Sequence, residues 1–183
     1  MQRVKYFILS LLLISLHAIS IQKPRPANSI TVKFAQRFGN IAANKVYDSS
    51  VQHLFRDGAG LGAPTILNAG DTVTGVGLKR QLPFVGLIET IIDGNIDGNG
   101  QSFFTYTVEN PTIFTYPVSW HRGYFEFDEL GDGSTMLNWQ VDFVPLRFCG
   151  PFAKGFTEII LTIYLKALSA HLNVECTAEK ISE

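Results

Sequence analysis

Strand-like segments fill the chain from Phe103 to Pro145, and one long apolar helix follows them at once. The segments are Phe103 to Asn110, Pro117 to Leu130 and Thr135 to Pro145, separated only by turn residues such as Gly131-Asp132-Gly133-Ser134. Connections that short make antiparallel neighbours. The helix is expected over Pro151 to Leu172, with Phe152, Phe156, Ile159, Ile160, Ile163, Ala167 and Leu168 as its inner face. A sheet and a helix of this kind bury their apolar faces against each other. A hollow between them is where a site is expected.

The upstream half completes the layers. Ile30 to Phe38 alternates Ile30, Val32 and Phe34 with Thr31, Lys33 and Ala35, the pattern of a half-buried strand. Ile41, Val46, Val51 and Leu54 fall near helical spacing, so one or two short helices are expected within Asn40 to Phe55. Gly58 to Gly70 reads as loop. Thr72 to Leu82 and Gly86 to Asp93 read as strands joined across Pro83-Phe84-Val85, and Asp93 to Gln101 as a Gly- and Asn-rich turn. The fold class is therefore α+β: a curved antiparallel sheet of about six to seven strands gripping a long C-terminal helix, with short helices after the first strand.

The N-terminus has the pattern of a secretory signal. Arg3 and Lys5 precede an apolar block from Phe7 to Leu16, and Ala18 and Ser20 supply small residues before a cut at Ile21. The alternative is an uncleaved anchor, but an apolar run of roughly 15 residues is short of the ~20 that span a bilayer. The expected organisation is a signal peptide over 1–20, a linker over 21–29, one domain over 30–174 and a tail over 175–183. Secretion, and no membrane span after cleavage, are the corresponding expectations.

Net charge is −1 with no basic stripe, which argues against nucleic-acid binding. Cys149 and Cys176 flank the predicted helix. Unbroken, it would hold them ~30 Å apart at 1.5 Å per residue, whereas a disulfide needs Cα atoms within ~7 Å. Unless the tail folds back, both are expected to be free thiols. Asp93 to Asn99 matches the first seven positions of a calcium-binding EF-hand loop, but its twelfth position is Phe104 where a glutamate should close the shell. A polar turn accounts for the same residues. No metal or cofactor is expected, and no G-x-S-x-G, Walker or H-E-x-x-H motif occurs.

Four segments and the closing helix together resemble the START-like helix-grip superfamily, which includes polyketide cyclase-like proteins, plant pathogenesis-related allergens and lipid-transfer domains. The segments are Gly75-Val76-Gly77-Leu78-Lys79-Arg80, Leu87-Ile88-Glu89-Thr90-Ile91, Phe104-Thr105-Tyr106-Thr107-Val108 and Gly133-Ser134-Thr135-Met136-Leu137-Asn138-Trp139. The resemblance covers Ile30 to Leu172. It implies a cavity between sheet and helix for an apolar or amphipathic small molecule, and it does not imply one chemistry. It also implies that Glu89 faces the cavity, with Leu87 and Ile91.

Parity identifies further candidates. In Thr135 to Pro145 one face carries Leu137, Trp139, Val141 and Phe143, with Trp139 either lining a cavity or filling the core. His121 shares the parity of Phe125 and Phe127, so it points inward, either to a ligand or to a core partner. A buried Glu89 needs a partner, and Arg80 on the neighbouring strand is the candidate; the alternative is an exposed cross-strand pair. Adding Tyr106 and the helix residues Phe156, Ile160 and Ile163, the candidate ligand-binding set is Arg80, Glu89, Ile91, Tyr106, His121, Phe125, Trp139, Val141, Phe156, Ile160 and Ile163.

Three functions compete. The first is a monomeric, secreted binder of a hydrophobic small molecule or lipid. The second is a cyclase- or dehydratase-like enzyme using Glu89, His121 and Tyr106. The third is a surface-interaction protein, which would show a large exposed apolar patch.

Overall fold

The computed structural model describes residues 24–83, 85–96 and 101–181. The expected signal peptide therefore lies outside the described residues, as do Asp97 to Gly100 of the calcium-like turn.

The elements in chain order are β1 (Ile30–Phe38), α1 (Ala43–Ser49), α2 (Ser50–Arg56, wound as a π-helix), β2 (Thr65–Asn68) and β3 (Lys79–Gln81). There follow β4 (Ile88–Ile96), β5 (Gln101–Val108), β6 (Val118–Glu129), β7 (Thr135–Pro145), α3 (Gly150–His171) and β8 (Glu179–Ile181). All eight strands form one antiparallel sheet in the order β2-β3-β4-β5-β6-β7-β1-β8. Strand β1 crosses back to pair with β7, Phe34 opposite Trp139, which closes the curved sheet around α3.

The α+β class and the grip are as the patterning predicts. Five details differ. Strand β4 runs on to Ile96, into the expected turn over Asp93 to Gln101, and Asp93 to Ile96 pair there with Thr105 to Ser102 of β5. Strand β2 forms inside the expected Gly-rich loop, and β8 forms inside the expected tail. Only Lys79–Gln81 of the expected strand over Thr72 to Leu82 forms a strand, because turns at Gly75 and Gly77, both at positive φ, interrupt the extended backbone before it. The largest correction is the face of α3. Its buried stripe is Ala153, Thr157, Leu161, Tyr164, Leu165 and Leu168, while Phe152 and Ile159, expected inside, are exposed.

Alternation in the strands builds the core. Leu137, Trp139, Val141 and Phe143 of β7 are buried on the concave face, with Val32 and Phe34 of β1 opposite Val141 and Trp139, and Phe38 buried farther along β1 opposite Thr135. Towards α1 and α2 the grip is solid. Phe104 stacks on Phe125 with ring centroids 4.3 Å apart, and Phe125 lies 4.2 Å from Trp139. Tyr47 and Phe55 close that end edge-on against Phe104. Both cysteines are free. Among the described residues, no helix is long and apolar enough to cross a membrane.

Candidate functional site

At its other end the grip is hollow. A cavity of about 130 Å³ opens between the sheet and the N-terminal half of α3. Its apolar wall is Leu61, Leu82, Pro83, Val85, Leu87, Val108, Val141, Phe156, Ile160 and Leu161. Five polar side chains interrupt that wall: Glu89, Tyr106, Tyr116, His121 and Thr157.

Glu89 owes its place to Arg80. The two residues are register partners on β4 and β3, and both side chains turn inward. Arg80 is completely buried, yet each of its five N–H groups has an acceptor. Nε and Nη2 donate to Glu89 Oε2 at 2.8 and 2.5 Å, and Nη2 also donates to the Tyr164 hydroxyl at 2.9 Å. Nη1 donates to the carbonyls of Leu54 and Phe55, the latter at 3.0 Å. Those carbonyls belong to the last turn of α2, where intrahelical donors run out and a cation is favoured. The guanidinium also lies 4.1 Å from the centre of the Phe55 ring. Burial is the largest influence and opposes its charge, but the Glu89 carboxylate, together with Tyr164 and Tyr106 beside it, outweighs burial and holds its pKa above the ordinary arginine value. Arg80 itself does not line the cavity. Glu89 does, and its Oε1 accepts no hydrogen bond from the described residues.

Tyr106 reaches its position through an absence. It pairs with Gly123 on β6, and a Cβ there would sit 1.9 Å from the Tyr106 ring. The bare glycine lets the ring lie flat over β6. Burial, then the nearby Glu89 charge, pushes its phenol pKa well up, so Tyr106 is a neutral hydroxyl. The Trp139 indole N–H lies near enough to oppose that shift slightly, but it makes no hydrogen bond of good geometry. Thr157 donates to the carbonyl of Ala153 one turn back at 2.8 Å, so the Tyr116 hydroxyl, 2.8 Å away, is the donor to Thr157. That leaves the Tyr116 oxygen with free lone pairs.

His121 sits on β6 among aromatic rings, 5.4 Å from Tyr106 and 5.7 Å from Tyr116. Burial alone drives its pKa down to about 3, so the imidazole is neutral. Its Nδ1 has no hydrogen-bond partner among the described residues. Among the described residues, no carboxylate orients it.

Of the eleven candidates, Glu89, Tyr106, His121, Val141, Phe156 and Ile160 come together around the cavity. The other five do not line it. Arg80 stands behind Glu89, and Ile91, Phe125 and Trp139 are packed into the solid half of the core. Ile163 faces the backbone at Gly60 instead. Parity placed Ile91, Phe125 and Trp139 on the correct face, but ring stacking along the strands decides which inward residues meet empty space. Tyr116 and Thr157 were missed. Tyr116 lies in the irregular stretch between Pro111 and Pro117, and Thr157 is one of two threonines on an apolar helix, so nothing in the sequence singles it out from Thr162.

No protein-family profile matches the sequence, and no curated protein is significantly similar to it. Solved structures do match. Ara h 8.0201 superposes with a TM-score of 0.59 at 14% identity, over 79% of this chain and 98% of the other. A protein from Thermobifida fusca gives 0.56 at 19% identity, over 78% and 90%. Truncated norcoclaurine synthase from Thalictrum flavum gives 0.53 at 16% identity, over 80% and 96%. A point mutant of that synthase was solved in complex with a transition-state analogue. The chain shares their helix-grip fold. Identities this low establish shared architecture alone.

Proposed function

We propose that this protein binds a compact, neutral, amphipathic small molecule in the cavity beneath α3. The observation that carries this reading is an apolar pocket with an uncommitted carboxylate oxygen and two tyrosine hydroxyls in its wall. Volume sets the ligand class. About 130 Å³ is close to the ~150 Å³ of a dry apolar cavity that accepts benzene, and below the ~300–1,000 Å³ typical of drug-sized ligands. A sterol or long acyl chain exceeds it. Charge narrows the class further, because Arg80 already balances Glu89 and a second cation would be unpaired. A small phenol or alcohol fits: its ring or chain meets the apolar wall and its hydroxyl donates to Glu89 Oε1.

The alternative of an enzyme resembling cyclases and dehydratases is supported by Glu89, Tyr106 and His121 lining one cavity. Against it, His121 titrates near 3 and Tyr106 well above its usual range, both far from the neutral values that suit acid–base exchange. Binding is therefore the preferred reading. The leader-like N-terminus supports a secretory-pathway location, which the mass of the mature N-terminus would test.

Calorimetric titration with phenol, a short alcohol and a long-chain fatty acid tests the binding reading. Phenol-sized donors are expected to bind, the fatty acid is not, and Val108→Phe, which fills the space beside Glu89, should abolish binding. Tight fatty-acid binding, or phenol binding that survives Val108→Phe, would refute this assignment.

A further inference from the structure

We infer that the open end of the grip is a membrane-docking surface, with a bilayer carrying anionic headgroups as its partner. Two loops and the start of α3 meet at that end. The loop between β5 and β6 is tied to the turn between β3 and β4 through Asn110, which donates from Nδ2 to the Gly86 carbonyl at 3.0 Å. It is tied to the loop between β7 and α3 by the Leu146 N–H, which donates to the Pro117 carbonyl at 2.8 Å. The side chains at the tips have little to pack against. Phe114 is 95% exposed, Phe148 88% and Phe152 64%, with Ile113 beside them also exposed. Phe152 stacks towards Phe156, and Phe156 contacts Tyr116, so the patch is continuous with the cavity wall.

Phe148 carries a second signal. Its backbone is held at φ +68°, a left-handed conformation that bulky side chains rarely adopt. The ring is almost wholly in solvent, so it buries little apolar area on folding. Strain kept at such a position points to a role outside folding.

Charge selects the partner. Arg147, with its guanidinium 4.7 Å from the Phe148 ring, and the exposed Lys154 flank the aromatics. Neither makes an ion pair among the described residues, and the nearby Glu109 is engaged by Lys79 at 2.5 Å. Protruding aromatic tips flanked by cations suit an interface in which rings enter the headgroup boundary and lysine or arginine meets anionic lipid.

Co-sedimentation of the full chain with vesicles of phosphatidylcholine, alone and mixed with phosphatidylserine, tests this inference. Retention is expected to be stronger on the mixed vesicles and to fall as salt rises. Phe114→Ser combined with Phe148→Gly should lower it by about tenfold or more, since bound apolar area sets the affinity. Arg147→Gln with Lys154→Gln should remove the preference for phosphatidylserine. Phe148→Gly alone should leave the melting temperature unchanged or raise it, because glycine accepts the left-handed backbone. The double aromatic variant should still bind phenol in solution, which separates docking from the cavity. Unchanged vesicle retention of the aromatic variants overturns the proposal, as does a native dimer that they dissociate without any vesicle binding.

Discussion

His121 shows how far one side chain can depart from its solution behaviour when a fold encloses it. Its pKa falls from 6.5 to about 3 through burial, so the unfolded chain takes up a proton first as the pH drops. The stability that depends on a neutral His121 is fully present above about pH 6.5 and is lost progressively as the pH falls towards 3. Urea unfolding between pH 7 and pH 4 should show that decline. In His121→Phe the same interval should be markedly flatter, and stability at pH 7 should be equal or higher, because the unpartnered Nδ1 is gone. A decline of equal size in the variant would mean that other groups carry it. At the same scale, His121 pointing inward was legible from its parity with Phe125 and Phe127. Its lack of a partner was not, since that depends on what the opposing helix and loop supply.

At the scale of the element, α3 is the instructive case. Apolar residues occur on nearly every side of Gly150–His171, so the sequence permits more than one inward face. Contact with the sheet selects the stripe through Ala153, Thr157, Leu161 and Leu165, and it leaves Ile159 61% exposed. Leu161→Ala should cost about 2–5 kcal/mol, as buried leucine truncations do. Ile159→Ala should change stability by less than about 0.5 kcal/mol. Denaturant midpoints of the two variants check the face directly, and the reverse order would restore the stripe that spacing alone suggested. Strands β1 and β7 behave differently: their two-residue alternation has a single reading, and both have the bounds that alternation predicts. Strands β2 and β8 are four and three residues long and carry no such pattern. They exist because a neighbouring strand offers an edge.

Across the whole molecule, Arg80 is the point where the layers join. It connects β3 to β4 through Glu89, to α2 through the Leu54 and Phe55 carbonyls, and to α3 through Tyr164. Removing one partner of this buried pair leaves the other charge without compensation, so Arg80→Met or Glu89→Leu alone should each cost about 3–5 kcal/mol. The double variant should recover much of that loss, a coupling that a double-mutant cycle in urea measures. If the two single losses simply add, the pair is not the coupled joint described. By itself the sequence determined the α+β class, the meander, the closing helix, and the pairing of Arg80 with Glu89 as one of two options. Those follow from residue period and turn chemistry, which act over a few neighbours. Only the tertiary structure decided which side of α3 faces inward, and that aromatic stacking fills one end of the grip while the other keeps a benzene-sized hollow. Those outcomes depend on volumes and ring orientations that meet from distant parts of the chain, and no local spacing encodes them.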